Sequence, residues 1–351
     1  LAKETVRIGK KARKTMAQTA REVHLKQRPK GTPTAADFDF VTRDLPALQA
    51  GQVLVENLWM SVDPYMRGRM SDRKSYAAPF EVGKVMDGGA VGVVRESCAE
   101  ALPVGAFVLS MAGWRSHFIG QADELRRLPD SGVPLQAHLG VLGMPGTTAY
   151  VGLERIAELK PGETLFVSAA SGAVGTVACQ LGKAKGCRVV GSTGSAEKVA
   201  FLKEIGVDAV INYKEVDNLT KALAAAAPEG IDVYYENVGG EHMRAALNNM
   251  NPFGRIALCG IIANYNATEA EPWPENMGLI LTKKLKLQGF IVSDHFDAFA
   301  EYAAEAGKLI ADGKLTWRET VYDGLDKAPA AFLGLFEGKN LGKMLVKLAE
   351  A

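Results

Sequence analysis

The sequence predicts an α/β protein: a doubly wound parallel sheet in the middle of the chain, flanked at both ends by β-rich segments. Three observations carry this. After Pro145, strand-like apolar runs alternate with helix-like runs. Before it, short apolar stretches are broken by Gly, Pro and Asp, with no long helical period. At the far end, Gly342 to Leu348 again reads as a strand. Repeated βα units of this kind require a parallel sheet covered by helices on both faces.

Taken in order, Val53 to Val55, Gly88 to Val94 and Ala106 to Ser110 read as strands between tight turns. In the middle, Thr164 to Ala169 is a strand running into glycines, and Ala173 to Lys185 is a helix. Arg188 to Gly191 is a strand, Ala196 to Ile205 a helix, Ala209 to Tyr213 a strand, and Asn218 to Ala226 an Ala-rich helix. Ile231 to Tyr235, Glu241 to Met250 and Arg255 to Cys259 continue the alternation. After a Pro-rich loop and a short helix, Leu285 to Val292 reads as a further strand, followed by a helix from His295 to Ala311. The C-terminal strand is expected to return to the first domain. A ligand then belongs in the cleft at the carboxyl ends of the core strands. The expected division is residues 16–142 with 316–351 for the β-rich domain, and 143–315 for the doubly wound domain.

A chain of 351 residues fits roughly two domains. Its 41 basic and 40 acidic side chains leave a formal charge of +1, so bulk electrostatics favours neither nucleic acid nor an anionic membrane. No apolar run reaches the ~20 residues that span a bilayer. Cys98, Cys179, Cys187 and Cys259 lack the spacing of a zinc knuckle or a secreted disulfide framework, and they fit a reducing cytoplasm. Residues 1–15 are basic and carry no apolar stretch of a secretory signal. They read as an N-terminal extension with Met16 as the natural start, or else as a basic arm.

The strand ending at Ala169 runs into Ala170-Ser171-Gly172-Ala173-Val174-Gly175, a dinucleotide fingerprint with Ala in place of the first Gly. Gly172 lets backbone approach a pyrophosphate, and Gly175 lets the next helix pack close to the sheet. The helix N-terminus supplies N–H groups. At the end of the second strand, NAD enzymes place an acid on the ribose 2′-hydroxyl. Here the text is Gly191-Ser192-Thr193-Gly194-Ser195, with no acid before Glu197 and with Lys198 following. Hydroxyls and a lysine welcome a 2′-phosphate, which favours NADPH.

At this point the chain resembles a family. Asp63 to Met70 (DPYMRGRM), Gly143 to Tyr150 (GMPGTTAY), the loop at Gly172, Tyr235 to Gly240 (YENVGG), Cys259 to Asn266 and Gly338 to Lys343 (GKNLGK) occur in an order similar to that of the zinc-free medium-chain dehydrogenase/reductases. The likeness is to the group of prostaglandin reductases, plant alkenal double-bond reductases and, in particular, bacterial curcumin reductases. It implies a Rossmann cofactor domain with a GroES-like catalytic domain. It further implies that Gly172, Ala173, Val174 and Gly175 line the pyrophosphate, and that Lys198 and Tyr213 meet the 2′-phosphate. Asn237 would lie near the middle of NADPH. Cys259, Gly260, Ile261 and Tyr265, with Phe290, Ile291 and Val292, would run along its nicotinamide half. Asn340 would reach across the cleft, and the molecule would be a homodimer.

Reducing a C=C bond beside a carbonyl develops negative charge on the carbonyl oxygen, and a neutral hydroxyl suffices in principle to stabilise it. Tyr265, just past a core strand, is the first candidate donor. The resemblance places it on the nicotinamide ribose. Tyr65 is the second candidate, as a donor or a pocket wall. Met144 is a pocket-lining candidate with a plain core role as the alternative, and Trp273 either covers the site or packs its own loop. Arg67 and Arg69 read as structural ion-pairing groups. His24, His117, His138, His242 and His295 show no ligand-like spacing to a cysteine, so a metal is not expected. The expected substrate is a small enone or enal. An NADPH quinone reductase and a non-catalytic NADPH-binding sensor remain the alternatives.

Overall fold

The computed structural model describes residues 18–129, 132–269 and 272–351. The basic extension and Met16 lie outside them. Strands β1 (Thr19–Leu25) and β2 (Phe38–Asp44) form an antiparallel pair. Then come β3 (Gln52–Ser61), the single turn α1 (Met66–Arg69), β4 (Ala90–Ser97), β5 (Phe107–Ser110), β6 (His117–Gln121) and β7 (Arg126–Arg127). Helix α2 (Met144–Val151) leads to β8 (Thr164–Val167), α3 (Ala173–Ala184), β9 (Arg188–Thr193), α4 (Ala196–Glu204), β10 (Ala209–Asn212), α5 (Leu219–Ala226), β11 (Ile231–Glu236), α6 (Gly240–Asn249) and β12 (Met250–Leu258). The chain ends with α7 (Gly278–Thr282), β13 (Lys286–Gly289), α8 (Ala298–Ala311), β14 (Glu319–Asp323), α9 (Ala328–Phe336) and β15 (Lys343–Lys347).

The doubly wound sheet runs β10-β9-β8-β11-β12-β13, all parallel. Alternation along a strand sends its side chains to two different cores. Leu165 and Val167 join Val233 and Tyr235 under α3 and α8, while Phe166 and Tyr234 join Val190 under α5 and α6. Phe166 stacks on Tyr234 at 4.9 Å between ring centroids. Losing such a buried ring costs about 3–5 kcal/mol. Burial on both faces explains why β8 reads as one apolar run rather than as an alternating one.

The second sheet runs β14-β15-β3-β4-β5-β7, with β6 also paired to β3. Strand β15 lies antiparallel to β3, so the C-terminus does return to the first domain. In the parallel sheet the winding reverses between β8 and β11, and the crevice at their carboxyl ends is where ligands bind in such sheets.

Some expectations need correction. The strand expected from Leu285 to Val292 covers only Lys286–Gly289. It is an edge strand, and its partner β12 ends with Leu258 opposite Gly289, so nothing pairs beyond. Val292–Asp294 is a single 3-10 turn instead. The helix expected from His295 begins at Ala298, whose N–H bonds the His295 carbonyl in a turn. The strand expected at Arg255 starts earlier, at Met250. Strands β1, β2, β6, β7 and β14 and helices α1, α2 and α9 were not foreseen.

Candidate active site

Past β8 the chain turns sharply. Ala169 has φ of 47°, a left-handed conformation that a residue with a Cβ seldom adopts. Gly172 then caps α3 without a side-chain hydrogen bond, so the first-turn N–H groups have no side-chain cap. Such an end attracts an anion. A Cβ on Gly175 would collide with the Ala169 carbonyl, and this close approach lets α3 sit tight on the loop. The Ser171 hydroxyl meets the Thr193 hydroxyl at 2.7 Å, tying the loop to β9. From the other end of the chain, the Gly342 N–H donates to the Ser171 carbonyl at 2.8 Å, and Gly342 forms a parallel bridge with Gly172. Asn340 donates from Nδ2 to the Gly342 carbonyl at 3.1 Å, so it stands beside this junction.

At the end of β9, Ser195 accepts the Lys198 N–H and caps α4. Lys198 Nζ donates to the Gly338 carbonyl at 2.7 Å. Burial, and then the neighbouring Lys214, pull the Lys198 ammonium below the usual lysine range. A Cβ on Gly194 would lie 2.9 Å from the Tyr213 hydroxyl and 3.2 Å from Lys214 Cε. Gly194, Lys198, Tyr213 and Lys214 thus share one corner, and its two lysines repel each other. A phosphate dianion there would relieve the repulsion. Lys214 was missed in the sequence; the one signal was its place beside Tyr213 at a strand's carboxyl end.

Between these corners lies Asn237, which donates from Nδ2 to the Ser168 carbonyl at 2.7 Å and from its N–H to Ser168 Oγ at 2.9 Å. The Ser168 hydroxyl donates in turn to Glu236 Oε1 at 2.9 Å. Glu236 is wholly buried, and burial raises its carboxyl above the usual range. Backbone bonds from Ile262 and Ala263 to the Asn237 and Val238 carbonyls carry the loop after β12 on this loop. In that second loop, the Tyr265 hydroxyl reaches back to Gly260, where a Cβ would lie 3.2 Å from it. Burial chiefly, and then Cys259, push the Tyr265 phenol up to about 12, with the Ile261 backbone opposing. Cys259 rises to about 12 by burial. Phe290 meets the ring of Tyr235 edge-on at 6.4 Å, and Val292 packs on the same core; Ile291 is the extended residue between them.

The opposite wall belongs to the β-rich domain. Tyr65 precedes α1, and its hydroxyl is buried without a hydrogen-bond partner. Burial and then Asp63 raise this phenol well above its ordinary value. Tyr76 was not a sequence candidate. The residue is 61% exposed as a whole, while burial around its hydroxyl chiefly raises the phenol, with Arg69 opposing and Cys259 and Asp63 adding to the rise. The turn bearing Tyr65 is tied to the loop bearing Tyr265 through Arg67 and Asn266. Met144, half-buried, opens α2. Trp273 is 55% exposed.

Arg67 is buried and joins the two walls. Its Nε donates to Asn266 Oδ1 at 3.0 Å, across 199 residues of chain, and a terminal nitrogen donates to the Gly31 carbonyl at 2.8 Å. Arg69 pairs with Asp87 at 2.8 Å and stacks on Phe80. Among the described residues, no group of three or more His, Cys, Asp and Glu side chains is placed to hold a metal ion.

A family model described as the N-terminal domain of oxidoreductase matches residues 21–128, and one described as zinc-binding dehydrogenase matches residues 173–310. The NADPH-dependent curcumin reductase of Escherichia coli (strain K12) is 44% identical over 331 residues, covering 93% of this chain and 96% of the relative. Prostaglandin reductase 1 of Bos taurus is 45% identical over 331 residues, covering 92% and 97%. The chain belongs to the medium-chain dehydrogenase/reductase family. Within this family, the crystal structure of CurA from Vibrio vulnificus in complex with NADPH superposes with a TM-score of 0.90 at 42% identity, covering 94% of this chain and all of that one. The dehydrogenase/reductase architecture, a parallel-sheet domain beside a β-rich one, is thus shared along almost the whole chain.

Proposed function

We infer that this medium-chain dehydrogenase/reductase reduces the C=C bond of α,β-unsaturated aldehydes and ketones, with NADPH as reductant and without a metal. The reading is carried by one observation: the Arg67–Asn266 hydrogen bond holds the turn that bears Tyr65 against the loop that bears Tyr265, beside the carboxyl ends of the parallel strands. The names of the relatives, curcumin and prostaglandin reductases at 44–45% identity, support the same chemistry. We assign the pyrophosphate to Gly172–Gly175, and the 2′-phosphate to Lys198 and Tyr213 with Lys214 added. The middle of the cofactor falls to Asn237 and Asn340. Its nicotinamide half falls to Cys259, Gly260, Ile261, Tyr265, Phe290, Ile291 and Val292. The uncapped start of α3 and the crowded lysine corner fit a phosphorylated dinucleotide.

When bound, NADPH supplies the hydride that adds to the β-carbon. The π electrons then move to the carbonyl oxygen, and the phenol of Tyr265, directly or through a hydroxyl it holds, stabilises the resulting enolate. Tyr65 walls the pocket or provides a second donor, and Met144 adds apolar lining. The α-carbon finally takes a proton that solvent can deliver. We divide the chain as expected, with residues 143–315 as cofactor domain; every strand of the parallel sheet falls inside that range. A homodimer and a cytoplasmic location complete the reading. The exposed edge strand β13 and the free cysteines support them respectively, and no helix among the described residues is long and apolar enough to cross a membrane.

The test is NADPH consumption across a panel of enals, enones and quinones, with product analysis. Saturated aldehydes or ketones as products support the reading. Turnover of quinones alone would replace it with a quinone reductase, and cofactor binding without any turnover would leave a sensor.

A further inference from the structure

Lys343 and Asp63 are buried, at 4% and 7% exposure, where the two sheets approach each other. The ammonium carries three protons and finds three acceptors: Asp63 Oδ1 at 3.0 Å and the carbonyls of Val62 and Met344 at 2.9 Å each. The second Asp63 oxygen accepts the Ser61 hydroxyl. Taking two charges out of water is costly, and apolar replacements of such pairs are often no less stable. The use of this pair is therefore better sought in what it aligns.

On one side it aligns the phosphate loop. Gly342, the residue before Lys343, is bonded to Ser171 and bridged to Gly172. Gly342 has φ of 68°, and a Cβ there would collide with the Arg318 carbonyl, so the backbone path into Lys343 is confined. On the other side it aligns a substrate-side phenol. Tyr65 lies two residues past Asp63, in a turn closed by the Met66 N–H on the Asp63 carbonyl at 3.1 Å. Ser171, Gly342, Lys343, Asp63 and Tyr65 form an unbroken path of hydrogen bonds and covalent links across the crevice.

We propose that Lys343 and Asp63 are positioning residues that transmit occupancy of the phosphate loop to Tyr65, so that a loaded cofactor site sets the substrate wall. Such coupling travels through contiguous packed and hydrogen-bonded groups. The proposal rests on the reading of Gly172–Gly175 as the pyrophosphate site and of Tyr65 as a pocket residue.

Hydrogen exchange of the full chain, with and without NADPH, tests it. In the unaltered protein NADPH should slow exchange both at residues 171–176 and at 62–70. In the double variant Asp63→Leu/Lys343→Met, which removes both charges while keeping the branching of the first side chain and nearly the length of the second, slowing should persist at 171–176 and vanish at 62–70. Direct cofactor contact with the Tyr65 turn would preserve both effects and overturn the proposal. Slowing at 171–176 with none at 62–70 in the unaltered protein would overturn the coupling alone, whereas no slowing at 171–176 would overturn the cofactor site as well. Should the double variant fail to fold, Asp63→Asn keeps an oxygen for the ammonium, and it must lose at least about half of the slowing at 62–70. A second readout is kinetic. Tyr65→Phe should cost about tenfold in enal turnover in the unaltered protein and less than about twofold in the double variant, because coupled residues are not additive. Additive losses would show a merely structural pair.

Discussion

The proposed cofactor wall draws chiefly on residues 168–265 and 290–292, in loops that follow core strands, with Asn340 added from the C-terminal segment. The facing wall takes Tyr65 and Tyr76 from near one end of the chain, is tied by Arg67 to Asn266, and meets Lys343 from the other end. One wall is shaped by local backbone geometry, as at Ala169, Gly172 and Gly175. The other is shaped by side-chain bonds between distant segments. Changes to the first wall should therefore be felt as loss of cofactor, and changes to the second as altered turnover or substrate range.

The strongest challenge to that contrast is Gly175→Ala. Its new Cβ meets the Ala169 carbonyl, which is backbone and yields poorly. An overpacking cost near ~3 kcal/mol corresponds to about a hundredfold weaker NADPH binding, measurable by titration of cofactor fluorescence. Unchanged affinity would mean that the loop is softer than its geometry implies. Next is Lys198→Ala. Loss of a charged hydrogen bond costs roughly 1.5–3 kcal/mol, or about ten- to a hundredfold in NADPH affinity, with NADH little altered. Equal losses for both cofactors would remove the 2′-phosphate from this corner, and Lys214→Ala run beside it would show which lysine dominates.

Tyr265 straddles the two walls. Tyr265→Phe should lower turnover of an enal by about tenfold or more, with a smaller change in NADPH affinity. A large rise in the cofactor Kd at unchanged saturated turnover would move it wholly to the cofactor wall. Smaller still is the expected effect of pH. Burial disfavours the phenolate, and the Tyr265 phenol is held up to about 12, so its donor form persists well above neutrality. No falling limb of kcat should trace to it below about pH 10, the ordinary phenol range. A limb near there that disappears in Tyr265→Phe would contradict the burial. The least effect is expected of metal removal: activity after exhaustive chelation should be unchanged, and loss restored by zinc would sink the metal-free reading.

The same contrast explains what could be read in advance. The β8–α3 unit was legible because its signal is local: an apolar strand, glycines at fixed offsets and an Ala-rich helix. Helix α2 was not. Gly143, Gly146 and Gly152 argue against a helix locally, yet a Cβ on Gly146 would collide with the Val141 carbonyl and press on Tyr302, so tertiary packing selects glycine there. The pair β1 and β2 was hidden by the charges along both strands, only one of which is mostly buried. Tyr265 was found because it follows a strand end. Arg67 and Lys343 acquire their meaning from partners far along the chain, and no spacing in the text announces that.

Strand β15 has a consequence for how the protein is made. It lies between β14 and β3, inside a sheet whose other strands include some of the earliest synthesised. That sheet cannot close, and Ser171 cannot find Gly342, until residues 342–347 have left the ribosome. Such long-range pairing is slow and leaves strand edges uncovered meanwhile. A nascent chain held a few residues short of Lys343 should therefore display its parallel sheet already formed, beside a β-rich half still dependent on chaperones.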